Sequence, residues 1–258
     1  MAISPYDWTQ SIRHRAEYVE DRLREGSPVV GISYPQGVLL FTLRGTQRKV
    51  FEVYERLMFS GLGHQADLEA VRLAAIDFAH EEGFRRSPED VTIHRVVVAL
   101  SPALKRAFGD VLSHPVIARC IFAELGESPE ADCFYLLDYD GEFTSQHRGA
   151  VVAGTPEAEE EALKALSAAE TPPQSLEEAL RTALQAWALA FGAVAAKPSA
   201  TEGGGAEPAP RREVEGVVRE ALKESEMEAA ALERDTARRS RFRLLTSEEL
   251  AFLRKDYA

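Results

Sequence analysis

The spacing of apolar residues predicts a helix at the start of the chain and β-hairpins after it. Between residues 8 and 25, apolar side chains recur four, three and four positions apart among charged ones, at Ile12, Ala16, Val19 and Leu23. This period is typical of an amphipathic helix. After Gly26, the runs VVGISY and VLLFTL flank a PQG turn and predict two paired strands, while KVFEVY and RLMFSG predict a second pair.

Two helices are expected next. The apolar stripe of Leu68, Val71, Ala75 and Phe78 predicts a long helix that ends near Gly83, since glycine is common just past a helix C-terminus. The pattern of the second helix predicts both its start and its end. Ser87 is expected to cap its N-terminus, with Pro88 in its first turn. Its centre, VVVAL, is apolar on every side and predicts burial between two layers, and Pro102 is expected to kink or end it.

A second block of strands and helices follows. The runs VIARCIFAEL, CFYLLDY, EFTSQ and GAVVAG predict strands, with a turn at Asp140-Gly141, and we expect them to form a second antiparallel sheet. Two helices come next, and a capping box from Ser175 to Glu178 opens the second of them. Residues 197–213 are rich in Pro, Gly and Glu without large apolar side chains, which predicts a mobile loop.

The order of these blocks predicts the fold class. After residue 213 come a charged helix, the strands EAAALER and RFRLL, and a last helix capped at Thr246 with Glu249 three positions on. Blocks of strands separated by pairs of helices fit a four-layer αββα sandwich, in which helices flank two antiparallel sheets. A doubly wound α/β fold is the alternative, but its strands alternate with single helices. We expect residues 1–258 to form one domain.

Composition excludes several classes of function. The 258 residues carry a formal net charge of -12, so the clustered positive charge of a nucleic-acid-binding protein is not expected. No apolar run approaches the ~20 residues of a membrane-spanning helix, and MAISPYDWTQ lacks the pattern of a secretion signal. We therefore expect a cytoplasmic protein. Cys120 and Cys133 have neither zinc-binding nor redox spacing and are expected to be buried, reduced thiols.

We find no self-standing catalytic or metal-binding motif in the chain. None of the six histidines pairs with another His or Cys at ligand spacing, and the stretch HEE beginning at His80 lacks the second histidine of a zinc motif. The glycine tract at 203–205 precedes no Lys-Ser or Lys-Thr and is not a phosphate-binding loop. We expect neither a metal ion nor a cofactor, and we expect a subunit of a larger particle rather than an enzyme.

Four stretches of the chain form a recognisable set: the pattern Arg13-x-Arg15-x-Glu17, the hairpin at 29–41 with Gly37 at its turn, the run at 49–63 and the closing segment LERDTARRSRFRLLTSEELAFL. Together they resemble the α-subunits of 20S proteasomes, particularly the bacterial kind. The resemblance covers nearly the whole chain and is weakest at 100–175 and 197–226. That family has the αββα sandwich of N-terminal nucleophile hydrolases, the same fold that the order of blocks predicts.

The resemblance implies a role in assembly. Proteasome α-subunits form heptameric rings that stack on rings of proteolytic β-subunits, and their N-terminal segments gate the axial pore. It thus implies a non-catalytic subunit of a threonine-type endopeptidase complex, served by a ring-shaped AAA ATPase that delivers unfolded or tagged proteins. By this likeness, residues 1–8 form the gate, which comprises Ala2, Ile3, Ser4, Pro5, Tyr6, Asp7 and Trp8. Archaeal and eukaryotic relatives typically carry Tyr-Asp-Arg there, and this chain departs from them at Trp8.

The resemblance also implies a docking site for the ATPase. In the family, a lysine matching Lys49 pairs with the C-terminal carboxylate of the ATPase in a pocket between neighbouring α-subunits, beside glycines matching Gly26 and Gly63. An ammonium fixed beside exposed backbone N–H groups suits this chemistry. Without the resemblance, Lys49 would be interpreted as a solvated lysine at the start of a strand.

Two other hypotheses remain open. Proteasome β-subunits share this fold and use an N-terminal threonine freed by cleavage after a glycine, and Gly26-Ser27 occupies the corresponding junction, with Lys49 in place to support a nucleophile. However, serine replaces threonine, Pro28 follows it, and the position of the supporting acid falls near the apolar Leu43. An N-terminal nucleophile hydrolase that uses Ser27 is the first alternative, and a stand-alone scaffold homologue without partners is the second.

Overall fold

The computed structural model describes residues 5–168, 172–195 and 211–257. Its helices are α1 Pro5–Arg24, α2 Gln65–Arg85, α3 Ile93–Gly109, α4 Pro156–Ala168, α5 Leu176–Ala195, α6 Arg211–Glu224 and α7 Ala251–Asp256. Its strands are β1 Val29–Tyr34, β2 Gly37–Arg44, β3 Phe51–Tyr54, β4 Leu57–Gly63, β5 Ala118–Glu124, β6 Cys133–Leu137, β7 Phe143–Gln146, β8 Gly149–Val152, β9 Glu226–Glu233 and β10 Phe242–Leu244.

The strands form two five-stranded antiparallel sheets. The first has the order β10-β9-β2-β1-β8 and the second the order β3-β4-β5-β6-β7. The predicted first hairpin is confirmed, since β1 pairs with β2 from Val29 opposite Thr42 to Tyr34 opposite Gly37. Helices α4, α5 and α6 cover the outer face of the first sheet, and α2 and α3 cover that of the second. The four-layer αββα sandwich predicted from the sequence is therefore confirmed.

Three apolar cores separate the four layers. Side chains of both sheets meet in the middle core, including Leu40, Ile121 and Phe134. Every residue of β1 is buried, because one of its faces meets the second sheet and the other meets the helices. This double burial explains why the strand sequences are almost continuously apolar rather than alternating.

Helix α1 contributes to the middle core from the edge of the sandwich. Val19 and Leu23 are completely buried there. The guanidinium of Arg15 donates hydrogen bonds to the main-chain oxygens of Ala107 (3.0 Å) and Ser113 (2.7 Å). These oxygens lie at and just beyond the C-terminal end of α3, where the helix dipole favours a positive charge. Helix α1 is thus packed against the body of the protein rather than projecting from it.

The sequence prediction was wrong about how the strands divide between the sheets. Strand β8 was expected in the second sheet with its predecessors, but it pairs with β1, where Gly149 lies opposite Ile32. Strands β3 and β4 belong instead to the second sheet, with β5. The chain crosses between sheets at Arg148, which has a left-handed backbone (φ 67°). Because each of these strands is apolar, either sheet would bury it, and the pattern alone does not select the partner.

The predicted start of α3 was also wrong. Ser87 opens only a single 3₁₀ turn at Pro88–Asp90. The helix itself begins at Ile93, and the side chain of Thr92 caps it by accepting a hydrogen bond from the amide of Arg95 at 3.4 Å. Both Ser87 and Thr92 are good capping residues, so the local signal did not distinguish them.

Pro102 neither ends α3 nor marks a fully buried segment. The helix continues through Pro102 to Gly109, and Val98, one turn earlier, is 45% exposed. The main-chain oxygen of Val98 loses its usual partner because proline has no N–H. This face of α3 is on the solvent side, where an oxygen without a main-chain partner costs little. The VVVAL segment is therefore amphipathic in the structure, with Val96 and Val97 buried.

Of the two predicted capping boxes, only the one at Thr246 makes both of its hydrogen bonds. Ser175 Oγ accepts a hydrogen bond from the amide of Glu178 at 3.2 Å and caps α5, but the Glu178 carboxylate accepts from the amide of Gln174 rather than from that of Ser175. The amide of Glu249 donates to Thr246 Oγ1 at 3.3 Å, and the Glu249 carboxylate accepts from the amide of Thr246 at 2.8 Å. The prediction that Thr246 caps the last helix was wrong, because α7 begins only at Ala251, with Leu250 at its N-cap and no side-chain cap.

Three further expectations concern the termini, the loop and the thiols. Helix α1 begins at Pro5 rather than at residue 8, and 211–213 belong to α6, while 197–210 lie outside the described residues.

Cys120 is buried and Cys133 is half-buried, and both are free thiols. Burial raises the pKa of each. Over the part of the chain that the structure covers, no helix is both long and apolar enough to cross a membrane.

Candidate functional site

The segment Gly26–Pro28 links α1 to β1, and we call it the joint. Its first amide, that of Gly26, donates a hydrogen bond to Leu23 O at 2.9 Å and so continues the last turn of α1. A side chain at Gly26 would collide with Leu62 of β4. Glycine is required here because the end of α1 passes directly against the second sheet.

The hydroxyl of Ser27 is fully engaged within the fold. Ser27 Oγ donates to the main-chain oxygen of Leu43 at 2.6 Å and accepts from the indole Nε1 of Trp187 in α5 at 3.1 Å. The nitrogen of Ser27 is in peptide linkage with Gly26. A serine nucleophile of this class needs a free α-amino group as its base, so this arrangement holds the hydroxyl in a structural role.

The ammonium of Lys49 lies on the other side of Ser27. Lys49 Nζ donates to Ser27 O at 2.7 Å and to Thr42 Oγ1 at 3.4 Å. Thr42 in turn donates to the main-chain oxygen of Pro28 at 2.6 Å. Burial lowers the pKa of Lys49 to about 8, although the negative charge of Glu228 partly opposes this shift. Both oxygens that contact the ammonium are uncharged, so hydrogen bonds rather than an ion pair hold it.

The nearby carboxylate of Glu228 is already bound to other groups. It is buried in β9 and accepts hydrogen bonds from the amides of Lys49 (2.9 Å) and Val50 (3.3 Å). It also lies 3.6 Å from the guanidinium of Arg44 and 3.7 Å from that of Arg48. Glu228 therefore anchors the main chain before β3 and does not contact the Lys49 ammonium directly.

A small pocket adjoins Lys49 between β3, β4 and α2. Its lining includes Arg48, Lys49, Gly61 and Arg72. The guanidinium of Arg72 lies over the ring of Phe51, 4.7 Å from its centre. Cations thus outnumber acids along the lining, where a single carboxylate, that of Glu69, pairs with Arg72. The lining is therefore net positive, but the cavity itself, about 10 Å³, holds no more than about one water molecule.

The structure brings two of the three predicted docking residues together. Lys49 contacts Ser27, the residue that follows Gly26 in the chain. Gly63 has a left-handed backbone (φ 139°) and lines a separate pocket with Arg22 and His114. In the pocket beside Lys49, the glycine of this strand is Gly61.

The predicted gate residues lie at or before the start of α1. Ala2, Ile3 and Ser4 are outside the described residues, and the main chain of Pro5, Tyr6 and Asp7 forms the first turn of α1. Trp8 follows on the helix and is half exposed. Among the residues that the structure covers, no group of three His, Cys, Asp or Glu side chains converges on a point where a metal ion would bind.

Sequence reasoning missed three residues of this site. Thr42 and Glu228 are buried polar residues in mostly apolar strands, and Trp187 lies in a mostly apolar stretch of α5. A polar residue inside a fully buried strand must find a partner, so Thr42 and Glu228 carried a signal. The hydrogen bond between Trp187 and Ser27 joins residues 160 positions apart, and no pattern in the sequence indicated it.

Comparison with known proteins agrees with this architecture. Residues 23–202, well over half of the chain, match the proteasome subunit family. The chain belongs to that family. It is 32% identical to the proteasome subunit alpha of Actinosynnema mirum over 249 residues, which cover 96% of this chain and 85% of the relative.

Two further relatives bear the same name. The proteasome subunit alpha of Thermobifida fusca is 28% identical over 244 residues, covering 94% of this chain and 86% of the relative. That of Geodermatophilus obscurus is 30% identical over 197 residues, covering 76% of this chain and 66% of the relative. The resemblance to bacterial α-subunits drawn from the sequence is thereby confirmed, and the chain is a subunit of a protein-degrading proteasome.

Proposed function

We propose that this proteasome subunit is non-catalytic and cytoplasmic, and that it forms the outer, heptameric ring of a 20S core particle. In this role it stacks on a ring of proteolytic β-subunits, restricts substrate access through its N-terminal segment and docks a ring-shaped ATPase. The substrates are unfolded or tagged proteins in transit to the β-subunits. The observation that carries the proposal is the engaged Ser27 hydroxyl beneath an α1 helix that is packed onto the sandwich.

The anchoring of α1 supports retention of the N-terminal segment. Besides the two hydrogen bonds of Arg15, the hydroxyl of Tyr139 donates to the carboxylate of Glu20 at 3.1 Å. Val19 and Leu23 are both completely buried. Removing the helix that carries them would cost about 3 to 6 kcal/mol of stabilisation from apolar burial. Cleavage after Gly26 would therefore destabilise the fold, which disfavours a hydrolase that frees Ser27.

The side chains around Ser27 also disfavour the hydrolase. An activated hydroxyl needs a base and a supporting acid. The position expected for that acid is Leu43, whose side chain is buried in the outer core and whose main-chain oxygen accepts the Ser27 hydroxyl. Lys49 is beside Ser27, but its ammonium binds the carbonyl oxygen rather than the hydroxyl.

The cationic pocket supports the docking role. Lys49 contributes a positive charge that no carboxylate contacts directly, and Arg48 is half exposed at the pocket. The pocket as it stands, about 10 Å³, is too small for a terminal carboxylate. Docking therefore requires its side chains to move apart, after which the carboxylate would gain charge-assisted hydrogen bonds from these cations.

Co-expression with a proteasome β-subunit tests the proposed assembly. We expect stacked rings by negative-stain imaging, peptide hydrolysis that depends on the β-subunit, and a full-length mass for this chain. Loss of residues 1–26 together with hydrolysis by this chain alone would establish the Ser27 hydrolase instead. A monomer under every condition would support the lone scaffold.

Two variants of the assembled particle test docking and gating. Lys49→Ala should abolish ATPase-stimulated protein degradation while rings still form, and Lys164→Ala, at an exposed lysine of α4, is the matched control. Deleting residues 2–8 should accelerate hydrolysis of small peptides in the absence of the ATPase. Unchanged stimulation in the first variant, or unchanged peptide hydrolysis in the second, would remove that part of the proposal.

A further inference from the structure

A cavity of about 500 Å³ opens at the end of β1 that lies opposite the joint. Its volume is within the range of small-molecule sites, about 300 to 1,000 Å³. Apolar side chains of β1 and α4 line it, among them Ile32 and Leu163, together with the four prolines Pro35, Pro129, Pro172 and Pro173. Because proline fixes its own backbone dihedral, these prolines leave less conformational entropy to be lost when a ligand binds.

One wall of the cavity is fixed by Asp132 beneath it. The Asp132 carboxylate accepts a hydrogen bond from Ser33 Oγ at 2.5 Å, and its main-chain oxygen lies 2.9 Å from Nδ1 of His147. A carbonyl oxygen can only accept, so Nδ1 of His147 carries a proton, and Nε2 is left as an acceptor for a ligand. Ser33 and His147, which both line the cavity, are therefore in place before a ligand enters.

The hydroxyl of Tyr34 is the unsatisfied polar group of the cavity. Tyr34 lines the cavity and is only 3% exposed, yet its hydroxyl makes no hydrogen bond within the described part of the chain. Almost all buried polar groups have a partner. Burial raises the pKa of Tyr34 to about 12, so the hydroxyl keeps its proton and can donate it to a ligand.

Two opposite charges at the cavity do not pair with each other. Arg148 and Glu130 both line it, and no described carboxylate lies within 4.0 Å of the Arg148 guanidinium. Hydrogen bonds from Ser128 and from its own main chain lower the pKa of Glu130, and the positive charge of Arg148 acts in the same direction. The two charges are thus near enough to interact and too far apart for a direct ion pair.

The backbone of Arg148 is strained at this position. Its φ of 67° is the only positive value of a non-glycine residue in the described chain, and its main-chain oxygen accepts from the amide of Ser33 at 2.8 Å. The crossing between the sheets requires this conformation, but glycine or asparagine would adopt it with less strain. A strained arginine at the edge of a cavity is an observation that favours a functional role.

We infer that this cavity binds a short apolar peptide with free termini, its carboxylate at Arg148, its ammonium at Glu130 and a peptide carbonyl at the Tyr34 hydroxyl. A zwitterion satisfies both charges, whereas a simple anion would be repelled by Glu130 and a simple cation by Arg148. The apolar lining suits aliphatic side chains. Short peptides are products of protein degradation, but the binding itself is a property of this chain alone and does not depend on the proposed function.

Calorimetric titration of the purified full-length chain with leucyl-leucine tests the inference without any variant. Leucyl-leucine should bind at least about fivefold more tightly than N-acetyl-leucyl-leucinamide, which lacks both charges. Leucine should also bind more weakly, because its two charges share one carbon atom and cannot reach both ends of the site. Equal affinity for the free and the doubly capped dipeptide, or no binding of leucyl-leucine at millimolar concentrations, overturns the inference.

Crossed variants and ligands then assign the two ends. Arg148→Asn, which tolerates the left-handed backbone, should weaken leucyl-leucine about threefold and leave leucyl-leucinamide unaffected, since that ligand has no carboxylate. Glu130→Gln should weaken leucyl-leucine to a similar degree and leave N-acetyl-leucyl-leucine unaffected. Arg85→Asn, at an exposed arginine of α2, is the control. Variants that weaken free and capped ligands equally would contradict this orientation.

Tyr34→Phe separates a ligand contact from a contact within the fold. It should weaken leucyl-leucine about fivefold through loss of one hydrogen bond, and the free energy of unfolding should not fall, because the hydroxyl has no partner to lose. Tyr54→Phe, outside the cavity, should leave the affinity unchanged. A loss of stability in Tyr34→Phe without a loss of affinity would show that the hydroxyl serves the fold and would overturn its assignment to the ligand.

Discussion

Two buried polar clusters, at opposite ends of β1, use charge differently. At the far end, Asp132 is completely buried, and its carboxylate accepts hydrogen bonds from Ser33 Oγ (2.5 Å), the amide of Gly126 (2.8 Å) and the guanidinium of Arg234 (2.8 Å). At the near end, the ammonium of Lys49 has only uncharged oxygens as direct partners. Both clusters connect layers of the sandwich, but only the first is neutralised by a direct ion pair.

The difference separates a structural contact from one that is available to a ligand. A buried charge with its counter-charge and all its hydrogen bonds in place has nothing to gain from a further partner. A cation held by neutral oxygens beside a cationic pocket gains on meeting an anion. The Asp132 cluster therefore stabilises the fold, while the Lys49 ammonium is still able to form an ion pair with an anion.

The largest expected effect comes from the neutralised cluster. Asp132→Asn leaves the Arg234 guanidinium without its carboxylate in a site with little water. The free energy of unfolding should fall by about 3 to 5 kcal/mol, measured by urea denaturation. Glu160→Gln, which removes an exposed ion pair on α4, should change it by less than about 0.5 kcal/mol. An equal effect of the two substitutions would contradict the assignment of Asp132 to structure.

The free energy of unfolding should depend on pH through Lys49, the buried cation without a direct carboxylate partner. Lys49 loses its proton near pH 8 in the folded state, because burial lowers its pKa to about 8, and near pH 10.4 in the unfolded state. Between these values the unfolded chain binds more protons, so the Lys49 contribution to stability rises with pH. Relative to Lys49→Met, the parent should gain at most about 3 kcal/mol from pH 7.5 to pH 10.5.

This measurement uses the difference between the two chains, so that titration of other groups cancels. Glu228 is the acidic group that acts on the Lys49 ammonium, and it is present in both chains together with Arg44 and Arg48. A difference that stays constant with pH would mean that the ammonium is solvated and that the contrast with Asp132 is unfounded.

The fixed contact at the joint should have a moderate effect. Trp187→Phe keeps an aromatic ring to stack on Phe191, 4.8 Å away, but removes the N–H that donates to Ser27 Oγ. The free energy of unfolding should fall by about 1 kcal/mol from the lost hydrogen bond, with a further contribution from the smaller ring. Phe191→Leu, which keeps that N–H, is the control for stacking, and hydrogen exchange at 20–30 should respond only to Trp187→Phe.

The smallest effect is expected at the exposed edge of the same cluster. Arg48 is half exposed and lies 3.7 Å from the buried Glu228, so solvent screens the pair. Arg48→Gln should change the free energy of unfolding by less than about 1 kcal/mol. A loss as large as that of Asp132→Asn would show that Glu228 depends on Arg48, and that the near end of β1 is neutralised after all.

Local patterns in the sequence determined much of this molecule. The apolar period of α1, the hairpin of β1 and β2 and the cap of α5 at Ser175 depend on neighbours within a few positions, and all three are present in the structure. The order of strand and helix blocks was sufficient to predict the αββα sandwich, since each apolar face needs another layer to cover it.

Only the tertiary structure decided which elements meet. The apolar runs of β3, β4 and β8 fit either sheet, and their assignment depends on pairing across the sandwich. The exposed face of α3 accommodates Pro102, and no local pattern in the sequence indicated that this face is exposed. The joint cluster likewise depends on Trp187 and Glu228, brought to Ser27 and Lys49 across more than 150 positions. Hydrogen-bond partners so distant in the chain leave no periodic trace in it, because distance along the chain does not limit contact once the layers have packed.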